Sequence, residues 1–209
     1  MSIPEEKKAV LDAIGMIEHP VVVELGAYDG VDMDWIREAF PGVRYVMLEA
    51  DPRNADVIRT YRDLTGVTFI EAAIADHTGE CAFHLCDNEI DQAKASSSIR
   101  RPKEHLEFFS WCTFDETITV PCYSLDDLFI GQGIERADLV WADIQGAERD
   151  MIAGGRNALK HTRYLFTEAD EHEMYEGQAP RDALLEMLPD WEIVGKFDWN
   201  ILLRNTKCN

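Results

Sequence analysis

Apolar positions recur along this chain in two rhythms, one helical and one extended. Val10, Leu11, Ile14 and Ile17 fall on one helical face, so Ile3 to Ile17 reads as an amphipathic helix. Val21 to Leu25 (VVVEL) is a short β-branched run that stops at a glycine, as a strand would. A helical pattern runs from about Asp32 to Phe40 and closes at Pro41-Gly42. Arg44 to Glu49 reads as a buried strand, after which Asp51 supplies an N-cap and Pro52 the first residue of a helix ending near Leu64. Val67 to Ala73 (VTFIEAA) predicts a third strand.

Strand, helix, strand, helix, strand is the signature of a parallel sheet with helices packed on its faces. Right-handed crossovers place these strands side by side in the order third, second, first. From Asp76 to Tyr123 the alternation breaks. CAFHLC and TITVPCY read as two arms of a hairpin, separated by a polar stretch containing Ser96, Ser97, Ser98, Arg100 and Arg101. A segment that long is rarely an idle loop in a compact domain. Ser124 with Asp127 forms a capping pair for the helix SLDDLF. Then come a strand from Asp138 to Asp143, a helix from about Ala147 to Leu159, a strand from Arg163 to Glu168 and a helix from Arg181 to Leu188. WEIVG and NILLR close the chain as a hairpin. The expectation is one α/β domain over residues 1–209, with an insertion at 76–123.

Composition narrows the partners. Asp plus Glu number 40 against 20 Lys plus Arg, a formal charge of −20 at pH 7. Such a surface repels nucleic-acid backbones and anionic lipid but tolerates a cationic ligand. The five cysteines form no CxxC pair, and the charged N-terminus lacks an apolar export segment. No apolar run approaches a membrane span. The expected setting is the cytoplasm, without membrane insertion; oligomeric state is not legible.

The strongest chemical signal is Glu24-Leu-Gly26-Ala27-Tyr28-Asp29-Gly30, placed between a strand and a helix. A glycine at the strand end lets backbone pass close to a ligand, and the helix start presents free N–H groups. A dinucleotide fingerprint needs G-x-G-x-x-G; this loop reads G-x-x-x-G with an acid two residues ahead. That acid opposes a pyrophosphate and suits the amino group of an aminoacyl sulfonium. Glu49, 25 positions after Glu24, ends the second strand, where an acid can accept both hydroxyls of an adenosine ribose.

The order ELGAYDG, YVMLEADP, FIEAAIAD, SLDDL, DLVWADIQGAE and LFTEAD resembles the FkbM family of S-adenosylmethionine-dependent methyltransferases, over roughly Val21 to Arg204. The resemblance implies a Rossmann-like class I methyltransferase: a mostly parallel seven-stranded sheet with helices on both faces and a β-hairpin and loop inserted after the third strand. It implies a cofactor held by Glu24, Gly26, Ala27, Tyr28, Asp29 and Gly30, by Glu49 with Ala50, and by Asp143. Ala73 or Ile74, with Asp76, would flank the adenine. Members mostly methylate hydroxyls, often on sugars or polyketide-like products. The family's D-x-E-G-x-E appears here as Asp143-Ile-Gln145-Gly-Ala-Glu148, one charge fewer.

Methyl transfer to a hydroxyl needs the oxygen held in line and a base to take its proton. Asp143 is the first choice, with Glu168 and His172 next. Asp143, Glu168 and Asp170 are also oxygen ligands for Mg²⁺, a reading that Gln145 weakens. The segment around Ser96 to Arg101, with Trp111 and Phe114, is the expected acceptor lid, and Ser97, Ser98, Arg100 and Gln145 its acceptor-binding residues. His84, His105 and His161 are assigned to structure. The reading is an O-methyltransferase for a sugar or glycoconjugate hydroxyl. The alternatives are a methyltransferase for another metabolite, a catalytically silent nucleotide-binding module, and a nicotinamide dehydrogenase, which lacks its fingerprint here.

Overall fold

The computed structural model describes residues 4–88 and 94–208. Ile3 and residues 89–93 of the insertion lie outside them. The elements in chain order are α1 (Glu5–Ile14), β1 (Val21–Leu25), α2 (Val31–Ala39), β2 (Arg44–Glu49), α3 (Pro52–Tyr61), β3 (Val67–Glu71), β4 (Ala73–Ile74) and β5 (Gly79–Asn88). After the insertion's α4 (His105–Phe108) come β6 (Cys112–Tyr123), α5 (Leu125–Gln132), β7 (Ala137–Ala142), α6 (Glu148–Gly154), α7 (Arg156–Lys160), β8 (Thr162–Glu168), α8 (Arg181–Glu186), β9 (Trp191–Lys196) and β10 (Asn200–Asn205).

Seven strands form the main sheet in the order β3-β2-β1-β7-β8-β10-β9. Strands β3, β2, β1, β7 and β8 run parallel, and β10 lies antiparallel between β8 and β9. The expected order of the first three strands and the terminal hairpin are both present. Alternate strand residues build two cores. Val23, Leu25, Val46, Leu48, Val140 and Leu165 meet α5, α6, α7 and α8 on one face. Val22, Tyr45, Met47, Leu139 and Phe166 meet α1, α2 and α3 on the other. This is why the central strands read as continuous apolar runs.

Several boundaries differ from the sequence reading, the first and the last helix among them, which end at Ile14 and Glu186 rather than Ile17 and Leu188. The third strand ends at Glu71, because after Ala72 donates to the Glu49 carbonyl (3.1 Å) the chain leaves the main sheet. Ala73 and Ile74 then pair with Cys122 and Tyr123 in a second sheet, β4-β6-β5, built on the expected hairpin. The helix expected over 147–159 breaks at Gly154-Gly155 into α6 and α7. Gly154 lies so close to the 75–76 backbone that a Cβ would stand 2.7 Å from the Ala75 carbonyl. The helix after β2 stops at Tyr61, short of Leu64. Among the described residues no helix is long and apolar enough to cross a membrane.

Candidate active site

At the carboxyl ends of β1, β2 and β7 lies a cleft of about 850 Å³. Its near wall is the loop after β1. Gly26 takes φ +80°, and a Cβ there would come within 1.8 Å of the Asp143 carbonyl oxygen, so the loop crosses β7's exit at a distance only glycine allows. Gly26 and Ala27 both donate to the Leu48 carbonyl, at 3.0 and 2.9 Å. Tyr28 also has positive φ (51°), and Gly30 (φ 75°) is the left-handed residue from which α2 starts.

Glu49 fastens this wall. Its Oε2 accepts from the Tyr28 N–H and its Oε1 from the Asp51 N–H, both at 2.7 Å. Burial pushes its pKa up to about 7, against the pull of those two backbone donors. Asp51, the N-cap expected from sequence, accepts from the Arg53 N–H (3.0 Å) and side chain and from Ser97 Oγ (2.8 Å). Burial opposes its ionisation, but those hydrogen bonds outweigh it and hold the carboxyl below its usual range.

Several expected cofactor residues share the cleft: Gly26, Ala27, Tyr28 and Asp29 on one side, Glu49 and Ala50 at the end of β2, Ala73 and Ile74 beyond β3, and Asp143 after β7. Three expectations are corrected. Glu24 does not line the cleft; it is buried beneath it, accepting from the Tyr45 hydroxyl at 2.9 Å. With period-2 alternation its side chain shares the face of Val22, against the α1–α2 layer, and burial, then the Asp32 charge, raise its pKa well above the carboxylate range. Asp76 turns to solvent beside His77. Gly30 shapes the turn without lining the cleft. Asp32 and Asn54, neither expected, do line it.

The residues present suit an adenosyl sulfonium. Ala50, Ala73 and Ile74 leave a flat apolar slot, Glu49 and Asn54 put polar atoms beside it, and Asp29, Asp32 and Asp143 concentrate negative charge at the other end.

A second chamber of about 760 Å³ opens next to the first, and Gln145 lines both. Gln145 adopts φ 52°, and its amide spans the division. Nε2 donates to Asp143 Oδ1 at 2.7 Å and to Glu168 Oε2 at 3.3 Å. The Tyr175 hydroxyl lies 2.7 Å from Gln145 Oε1 and 2.9 Å from the Ser96 carbonyl, its single proton directed to one or the other. Asp143 thus faces the first cleft and Glu168 the second, joined by one neutral amide. Asp143 opens onto the cleft but sits deep among protein atoms; this setting pushes its pKa up to about 6 against the Gln145 hydrogen bond, with the Asp32 and Glu6 charges adding to the rise. Glu168 is raised well above its ordinary value, through burial and then the charges of Asp143, Glu148 and Asp170.

Four other expected site residues stand elsewhere. His172 is half-exposed at the surface, 3.2 Å from Glu104 and edge-on to Phe108, and lines neither chamber. Ser98 is buried and donates to the Gln145 carbonyl at 2.7 Å. Arg100 forms a two-point pair with Asp150 (2.8 and 2.9 Å) and donates to the Glu176 carbonyl. Ser98 is spent on pinning the insertion to the loop between β7 and α6, and Arg100 on pinning it to α6 and to the loop after β8. Ser97 lines the first cleft rather than the second. Asp143, Glu168 and Asp170 form no metal-holding group, and none of three or more His, Cys, Asp or Glu occurs among the described residues. Sequence reasoning missed His105, Tyr175 and Trp199, which line the second chamber. The aromatic run around Phe108, Phe109 and Trp111 in an otherwise polar insertion was the available signal.

Comparison with known proteins bears on the family and the fold. Residues 24–194 match the model of the methyltransferase FkbM domain. Over 195 residues the chain is 40% identical to the 2-O-methyltransferase NoeI of Sinorhizobium fredii, covering 90% of this chain and 80% of that protein. Among solved structures, the methyltransferase FkbM from Methylobacillus flagellatus KT superposes with a TM-score of 0.54 at 15% identity, over 90% of this chain and 44% of its own. This chain therefore spans less than half the length of that structure. A putative O-methyltransferase from Klebsiella pneumoniae gives a TM-score of 0.52 at 12% identity, covering 98% and 81%. These likenesses carry the fold, which is that of Rossmann-like methyltransferases.

Proposed function

The chain belongs to the FkbM methyltransferase family, and from that premise we propose that it transfers a methyl group from S-adenosylmethionine to a hydroxyl of a sugar or glycoconjugate, with Asp143 as the base. The observation that carries this reading is the position of Asp143. Its carboxyl belongs to the donor cleft, yet through Gln145 it is one amide away from a second, polar and aromatic chamber. The relative sharing 40% identity is itself a 2-O-methyltransferase.

When bound, the donor supplies an activated methyl on a sulfonium. Glu49 and Asn54 would hold the ribose and Ala73 and Ile74 the adenine. The acids at the far end would hold the aminoacyl part. Asp143 would take the acceptor proton as the C–O bond forms and the donor's S–CH3 bond breaks, the sulfur leaving as a neutral thioether. Gln145 keeps the Asp143 carboxylate aimed and, being neutral, does not compete for that proton. Glu168, raised well above its ordinary value by burial and by the neighbouring Asp143, Glu148 and Asp170 charges, resists ionising beside Asp143, as adjacent carboxyls do. The acceptor is a small molecule or glycan, and the five free cysteines accord with a reducing cytoplasm.

The test is to supply isotopically labelled donor with alcohol, amine and carboxylate acceptors of similar size. Label should enter ether linkages on the polyol acceptors. Label found on amines or carboxylates alone would overturn the hydroxyl assignment.

A further inference from the structure

Among the described residues, two buried side-chain polar atoms have no hydrogen-bond partner: His105 Nδ1 and Asp170 Oδ2. They sit 65 positions apart in sequence, on α4 and after β8, yet both residues line the second chamber. Buried polar atoms are ordinarily satisfied, and these two, closed to solvent but carried on residues that line one cavity, are groups that a seated ligand can partner once the side chains turn toward it.

Resting on the hydroxyl-methylation reading above, we infer that the second chamber is the acceptor seat, that His105 and Asp170 select the acceptor by hydrogen-bonding its non-reacting hydroxyls, and that Trp199 carries an apolar face of the saccharide.

The chemistry of the two residues is complementary. The His105 ring is 2% exposed and packed against Phe109, Phe114 and Tyr175, with centroids 4.8 to 5.4 Å away. Burial pushes it down to about 4, so at neutral pH the ring offers one donor and one acceptor, which matches a hydroxyl that both gives and receives. An ionised Asp170 only accepts. Its Oδ1 is already engaged by the Glu171 and His172 N–H groups, at 2.6 and 3.2 Å. Oδ2 is left for something else.

The rest of the chamber fits a saccharide. Gln178 and Asn200 add polar lining. Trp199 stands at the mouth, 42% exposed, 6.4 Å from the exposed ring of Phe108. Flat aromatic surface beside hydroxyl-binding groups is the mixture that a sugar's alternating C–H and O–H faces require. His105 is also firmly placed. Lys103 and His105 donate to the Met174 carbonyl at 2.8 and 3.1 Å, and Glu104 to the Glu173 carbonyl at 3.2 Å. These are positioning and specificity roles. The proton-taking role stays with Asp143.

The experiment compares wild type with His105→Leu, His105→Gln, Asp170→Asn and Trp199→Ala on a panel of methyl pyranosides and short linear oligosaccharides. S-adenosylhomocysteine affinity is measured by calorimetry alongside. The acceptor KM should rise about tenfold or more in His105→Leu and Asp170→Asn, with kcat within about threefold and S-adenosylhomocysteine affinity unchanged. His105→Gln, which keeps a donor and an acceptor, should recover part of the loss. If the variants bind S-adenosylhomocysteine normally and keep the wild-type acceptor KM, the inference is overturned while the methylation reading stands. If wild type labels none of the saccharides, the sugar reading itself falls, and this inference with it. Should His105→Leu fail to fold, Trp199→Ala decides: its half-exposed ring can be removed without disturbing the core, and an unchanged acceptor KM there counts against the seat.

Discussion

The two chambers on either side of Gln145 are built by opposite strategies. The first cleft, the proposed donor site, has its near wall set by backbone: a glycine that can approach Asp143 only because it lacks a Cβ, and two loop amides clamped by the Glu49 carboxylate. The second chamber is largely side chain, assembled where the insertion meets the loop after β8 and held by Arg100, Ser98 and the Met174 carbonyl. A cleft made of backbone tolerates few substitutions and serves one ligand. A chamber made of side chains can be recut without touching the donor. One family can thereby keep its cofactor while changing its acceptor.

Substitutions can break that contrast. Gly26→Ala should do most damage, since it meets both a disfavoured φ and a 1.8 Å clash with the Asp143 carbonyl. We expect a loss of at least about 3 kcal/mol in stability by chemical denaturation, with no measurable donor binding. Asp143→Asn should slow turnover by about two to four orders of magnitude while leaving donor affinity within a few-fold. With Asp143 as the proposed base the working form is the carboxylate, and since its pKa in the free protein is raised to about 6, wild-type kcat/KM should climb as pH rises through about 6 and then level. A flat profile from pH 5 to 8 would remove Asp143 as the base. Glu49→Ala should weaken donor binding by about tenfold or more in calorimetry, because two buried N–H groups lose their acceptor along with any ribose contact. His172→Ala should be the mildest, within about twofold in kcat/KM, since what is lost is a surface pair with Glu104 and a surface ring contact with Phe108. A large loss there would restore the histidine to the site and blur the boundary drawn here.

How much of this was readable from sequence follows the same division. The donor wall is local: ELGAYDG and the acid ending β2 could be placed from strand ends and glycines, Asp143 from its place at the end of a strand, and Ala73 and Ile74 only from the family resemblance. Glu24 was misplaced because a motif gives position along a strand but not which face the side chain takes, and only pairing with Tyr45 decides that. The helix break at Gly154-Gly155 depends on a tertiary approach to Ala75 that no helical periodicity records. The second chamber was hardest. His105 reads as an ordinary core histidine until the loop carrying Asp170 and Tyr175 is folded over it. Ser98 and Arg100 have the chemistry of ligand contacts, but that chemistry is used up within the protein.

The Arg100–Asp150 pair, 19% exposed on both sides, has a practical outcome for anyone reshaping these enzymes. A loop transplanted from a relative would arrive without its anchor on α6 and without the carbonyl of Glu176 that the same guanidinium grips. Specificity therefore travels as a three-part cassette: the insertion, the first turn of α6 and the stretch after β8 must be exchanged together for the new pocket to hold its shape.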